Sequence, residues 1–128
     1  MPGTPRVETT PLVVGDVMFA TQPPNGVIAL DARSGRRLWS FTHPLPKLHL
    51  CDHGPVNRGL AVLDDTVYIG TLDAHLIALS ARTGKVRWDT IVADYRKGYS
   101  ITGAPLAVKD KIITGTSLAD GRAPKATV

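Results

Sequence analysis

Apolar residues in this chain come in short runs of about three to six, rich in Val, Ile, Leu and Thr and closed by Gly, Pro, Asp or Ser. Such spacing predicts strands and tight turns, since a helix would repeat its apolar stripe every three to four residues over a longer stretch. The signal is most regular in the middle of the chain. Strands are predicted at 60–63, 66–71, 75–80 and 85–90, with turns at Asp64-Asp65, Leu72-Asp73-Ala74 and 81–84. Four short strands connected this way form an antiparallel meander.

The pattern repeats. Ala29-Leu30-Asp31-Ala32-Arg33-Ser34-Gly35-Arg36-Arg37-Leu38-Trp39 returns as Ala78-Leu79-Ser80-Ala81-Arg82-Thr83-Gly84-Lys85-Val86-Arg87-Trp88, which places the two tryptophans 49 positions apart. A second element occurs three times: Leu12-Val13-Val14 leading to Thr21, Leu60-Ala61-Val62 leading to Thr71, and Leu106-Ala107-Val108 leading to Thr116. The units are 8–41, 59–91 and 104–117, with 118–128 as a tail. Gly35 and Gly84 are predicted in a left-handed hairpin bulge, where a Cβ is penalised. A four-stranded sheet that is apolar on both faces must be covered by neighbours, and radial stacking is one solution, the β-propeller. The predicted fold is therefore all-β, a partial β-propeller of about two and a half four-stranded blades with Trp39 and Trp88 packing between blades. A closed ring takes about 4 to 8 blades. The expectation is that this sequence is part of a longer frame, with the remaining blades, or else self-association, covering its edges.

Composition narrows the partners. Fifteen Lys and Arg against eleven Asp and Glu give a net charge of +4, spread singly along 128 residues. No basic stripe or set of free aromatics supports nucleic-acid binding. Cys51 is the single cysteine, so the chain holds no internal disulfide. No apolar run has the length of a membrane span or a signal-peptide core.

Propeller blades carry their first strand nearest the axis, so polar residues just before that strand stand at one mouth of the channel. Glu8, Arg58 and Thr102 occupy those places in the three units. A carboxylate, a guanidinium and a hydroxyl brought together suit a flat polar ligand bearing acid groups. The alternative is solvated loop charges and a turn-capping threonine. His49, Cys51 and His53 alternate along one segment, with His43 nearby, and all are possible zinc or copper ligands. They lack the paired spacing of structural zinc sites, and a loop lining the channel is the preferred reading. Asp73, beside His75, is expected to hydrogen-bond its own turn. Tyr95 and Tyr99 either shield the channel mouth or pack on its rim.

Beyond the tryptophan motifs, Glu8-Thr9-Thr10-Pro11-Leu12, Gly54-Pro55-Val56-Asn57-Arg58-Gly59, Gly70-Thr71-Leu72-Asp73 and Ser100-Ile101-Thr102-Gly103-Ala104-Pro105-Leu106 follow in an order that resembles the N-terminal part of the pyrroloquinoline quinone (PQQ)-dependent alcohol dehydrogenases. The resemblance implies an eight-bladed propeller with the quinone and a calcium or lanthanide ion on its axis. It also implies a periplasmic location, an alcohol substrate, and a cytochrome or quinone as electron acceptor. By position, Glu8, Arg58, Thr102 and Ser117 resemble cofactor contacts, and Asp120 resembles a metal-binding glutamate. That glutamate ends a Ser-Gly-Ala-Glu run in the family, where this chain has Ser117-Leu118-Ala119-Asp120. The family often carries two adjacent cysteines over one face of the quinone, where this chain has Asp52 and His53; His53 or Asp52 is then implied to form that face, or the site is looser. The catalytic aspartate and the remaining metal ligands are implied to come from later blades, so residues 1–128 alone are expected to give no turnover. A non-catalytic propeller scaffold or interaction module is the alternative function.

Overall fold

The computed structural model describes residues 9–44 and 57–118. Two four-stranded antiparallel sheets, each in simple chain order, account for most of them. The first holds β1 (Leu12–Val14), β2 (Val17–Gln22), β3 (Gly26–Asp31) and β4 (Arg37–Thr42). The second holds β5 (Ala61–Leu63), β6 (Thr66–Gly70), β7 (His75–Ser80) and β8 (Val86–Ile91). A 3₁₀ turn at Tyr95–Lys97 follows, then β9 (Tyr99–Ser100), β10 (Leu106–Val108), β11 (Lys111–Ile113) and β12 (Ser117–Leu118).

The sequence repeat is repeated as backbone geometry. The first hairpin of each unit has a two-residue loop closed by Val14↔Val17, Leu63↔Thr66 or Val108↔Lys111. The first loop residue takes positive φ each time: Gly15 at 60°, Asp64 at 54° and Lys109 at 53°. That twist matches the strands it joins, and it is obtained from glycine in only one of the three loops. The third hairpin of each full sheet bulges after Ala29 and after Ala78, and there Gly35 and Gly84 stand at φ 75° and 74°. In the first sheet Asp31 Oδ1 accepts from the backbone N–H groups of Arg33 and Ser34 at 2.8 and 3.1 Å. Those two donors hold its carboxyl below the usual carboxylate range. Ser80 stands at the matching place in the second sheet, so that turn has no carboxylate at this position.

Period-two alternation puts Phe19, Val27 and Ala29 on one face of the first sheet, and they meet Leu60, Val67, Ile69, Ile77 and Leu79 in a single buried core. Each large aliphatic side chain fully buried there contributes about 1.5–3 kcal/mol. Trp39 spans the junction: its Nε1 donates to the carbonyl of Ala81 at 2.9 Å, and its ring lies over Gly84. The second sheet carries the same arrangement on its other face. Phe19 and Trp39 have ring centroids 6.0 Å apart, and Tyr68 and Trp88 5.9 Å apart, both pairs inclined at 47°. Trp88 is 40% exposed.

Beyond β8 the third unit opens with its expected first hairpin, and the pairing that follows it was not expected. β10 and β11 form a two-stranded sheet, and β10 lies against β5. β12 does not extend that pair; it turns back to β9 through Ser117↔Ser100 and Leu118↔Tyr99. Among the described residues no helix is long and apolar enough to cross a membrane.

Candidate functional site

The segments that lead into β1, β5 and β10 are joined edge to edge. The Thr10 N–H donates to the Arg58 carbonyl at 3.1 Å, and the Arg58 N–H donates to the Thr102 carbonyl at 2.7 Å. This ladder fixes the backbone under Arg58 and Thr102, and their side chains meet, with Nη1 of Arg58 donating to Oγ1 of Thr102 at 3.2 Å. Arg58 is exposed and Thr102 half-buried. The result is a guanidinium and a hydroxyl side by side, 44 residues apart in sequence, at the end of the sheets where β5 and β10 begin.

A buried amide holds this end together. Asn57 is 2% exposed; its Nδ2 donates to the Gly70 carbonyl at 2.8 Å and its Oδ1 accepts from the Gly59 N–H at 3.1 Å. The hydroxyl of Thr21 donates to the Asn57 carbonyl at 3.1 Å, which ties the loop to the first sheet. Gly70 leaves room for Ile101, whose Cγ2 would sit 2.1 Å from a Cβ built there. Ile101 is fully buried and donates its N–H to the Thr71 carbonyl at 2.9 Å, which sets the height of Thr102. Sequence named Thr21 in the repeat, with Thr71 and Thr116, and Asn57 beside Arg58, but gave neither a role in tying the loop to the sheet.

The remaining expected site residues are placed as follows. Ser117 lies in β12, with its Oγ 3.0 Å from Oγ of Ser100 and 3.3 Å from the Ser100 carbonyl. Glu8, His53 and Asp120 lie outside the described residues, as do His49, Cys51 and Asp52.

A second cluster occupies the turn between β6 and β7. Oδ2 of Asp73 is 2.8 Å from Nε2 of His43 and 3.5 Å from Nε2 of His75. Nδ1 of His75 is 2.7 Å from Oδ1 of Asp89, and the two imidazoles face each other at 4.9 Å. This corrects the expectation that Asp73 closes its own turn. Thr71 does that, through its carbonyl to the Ala74 N–H and its hydroxyl to the His75 N–H. His43 is delivered by Asn25, which is fully buried, accepts the His43 N–H on its carbonyl at 3.0 Å and the Leu72 N–H on its Oδ1 at 2.8 Å. Sequence alone hid this contact because His43 and Asp73 are 30 residues apart and belong to different sheets. Beside the cluster is an open cleft of about 400 Å³ lined by Asp73, His75, Tyr95 and Asp94, among others. The side chain and backbone N–H of Arg96 hold the Asp94 carboxyl below the usual range.

Comparison with known proteins shows the family of the chain. The β-propeller domain family described as PQQ, glucose/ethanol/alcohol dehydrogenase, matches residues 1–128. The 1-butanol dehydrogenase (cytochrome c) of Thauera butanivorans is 45% identical over 119 residues, 89% of this chain and 17% of that enzyme. Among solved structures, quinohemoprotein alcohol dehydrogenase ADHIIG of Pseudomonas putida superposes with a TM-score of 0.77 at 40% identity, covering 88% of this chain and 17% of that one. A europium-containing methanol dehydrogenase superposes with a TM-score of 0.80 at 40% identity, covering 91% of this chain and 21% of that one.

Proposed function

The chain belongs to the PQQ-dependent glucose/ethanol/alcohol dehydrogenase β-propeller family, and from that premise we propose that it forms part of the wall of a quinone-binding channel in an alcohol-oxidising dehydrogenase. It spans 17% of the length of the butanol dehydrogenase, so the activity proposed is that of an enzyme to which these sheets contribute.

The observation that carries the reading is the Arg58–Thr102 pair on its backbone ladder. A guanidinium offers donors in a planar fork that matches a carboxylate, and Thr102 accepts from Arg58 while keeping its own O–H proton to donate. The donor set fits a planar anionic ligand such as a tricarboxylated quinone. Because Arg58 and Thr102 are tied through backbone as well as side chain, they meet such a ligand already oriented, and less side-chain entropy is lost on binding. When bound, the quinone supplies the two-electron acceptor for alcohol oxidation. Arg58 and Thr102 hold its acid groups, and Ser117, Glu8 and His53 are proposed to complete the contact. Asp120 would be a ligand for a calcium or lanthanide ion, through a hard carboxylate oxygen. A periplasmic location and electron transfer to a cytochrome or a quinone belong to the same proposal.

Titration of the chain with PQQ, followed by quenching of quinone fluorescence, tests this. Saturable binding is expected, weakened roughly 10- to 100-fold in Arg58→Ala, the loss of a charge-assisted hydrogen bond. Absence of a saturable signal in the wild-type chain would overturn the quinone reading in favour of the scaffold.

A further inference from the structure

We propose that His43, Asp73 and His75 form a binding site for a divalent transition-metal ion, zinc being the best fit, that staples the first sheet to the second. The three residues each offer one ligand atom, and these atoms all lie within 4.8 Å of one another. His43 follows β4, while Asp73 and His75 flank the turn that opens β7, so an ion held by all three joins the two sheets.

Two imidazoles and one carboxylate suit zinc, which binds nitrogen and oxygen at about 2.0–2.2 Å. They suit calcium poorly, because calcium takes six or more oxygen ligands. Nδ1 of His75 faces Oδ1 of Asp89 at 2.7 Å, which leaves Nε2 as the nitrogen turned toward the cluster. A carboxylate behind a liganding imidazole is the usual outer support of a metal-binding histidine.

Asp73 supplies an independent observation. Its side chain is 6% exposed, and its Oδ1 is buried with no hydrogen-bond partner among the described residues. A hydrogen-bonded His–Asp–His chain would explain Oδ2 but leaves Oδ1 desolvated and unmatched, a cost that a cation removes. An open cleft borders Asp73 and His75. In the metal-free arrangement His43 Nε2 and Asp73 Oδ2 are 2.8 Å apart, and that contact must open for an ion to enter between them.

The test uses the chelator-stripped chain and metal alone, without quinone, so its outcome is independent of the quinone proposal. Calorimetric titration with Zn²⁺ is expected to give one equivalent bound, tighter than Ca²⁺. Affinity should fall at least about tenfold in His43→Gln, in His75→Gln and in Asp73→Asn, and about 10- to 100-fold in Asp89→Asn. A double variant His49→Gln, Cys51→Ser should bind as the wild type does. Co²⁺ added to the wild-type chain gives a readout that needs no variant: visible d–d bands without a thiolate charge-transfer band. The proposal is overturned by lack of saturable Zn²⁺ binding, by binding that survives loss of both His43 and His75, or by a thiolate band assigning the ion to Cys51.

Discussion

Gly35 and Gly84 have nearly the same backbone, φ 75° and 74°, and quite different surroundings. A Cβ at Gly35 meets nothing within 4 Å, whereas one at Gly84 would lie 2.4 Å from Cε3 of Trp39. The pair therefore separates conformational strain from crowding. Gly35→Ala is expected to cost about 1 kcal/mol, the left-handed penalty alone. Gly84→Ala is expected to cost about 2–4 kcal/mol, since overpacking adds to the same penalty. Denaturant midpoints of the two variants check this, and equal losses would mean that Trp39 does not rest on Gly84. Both glycines were legible in the sequence as turn residues because Ser-Gly and Thr-Gly recur at one offset in the repeat. The crowding was not, since it depends on which side chain the neighbouring sheet lays over the turn. Asp73 was misread for the same reason: a turn aspartate signals a local bond, and its real partner, His43, belongs to the other sheet. The places of Glu8, Arg58 and Thr102 before the first strands fit either convergence or solvated loop charges; the side chains of Arg58 and Thr102 meet, and Glu8 lies outside the described residues.

Strands and hairpins were the most legible level. The predicted strand at 75–80 is β7 without change, and the other three of that unit shift by a residue at one or both ends. Period-two alternation between strong turn signals leaves the chain little choice of register. β9 and β12 were invisible because two-residue strands carry no period; their pairing exists only in the tertiary structure. The tryptophans mark the difference between a covered face and an uncovered one. Trp39 donates its indole N–H to Ala81 across the junction, while Trp88, with the same ring geometry toward Tyr68, stays 40% exposed. In single-tryptophan variants, acrylamide is expected to quench the chain that retains Trp88 at least about twice as efficiently as the chain that retains Trp39. Equal quenching would mean that the first sheet's outer strand is no better covered than the second's. Whatever covers the Trp88 face in a larger propeller should reverse that contrast.

At the scale of the molecule, the two sheets share one core and their entry segments form one continuous ladder. Stacking brings together residues that no single unit could assemble: Arg58 comes from one segment and Thr102 from the next. The sequence repeat predicted the stacking, since a sheet apolar on both faces requires neighbours. It did not reveal the ties of Asn57 and Asn25 between segments, because a buried amide in a loop reads the same in sequence as an exposed one. The central claim is that Arg58 and Thr102 act as one binding unit on a quinone. A double-mutant cycle of PQQ affinity over wild type, Arg58→Ala, Thr102→Ala and the double variant measures this directly. The account predicts coupling of about 1 kcal/mol or more, with the second substitution costing much less once the first is made. Strictly additive losses, or affinity indifferent to both substitutions, would contradict it.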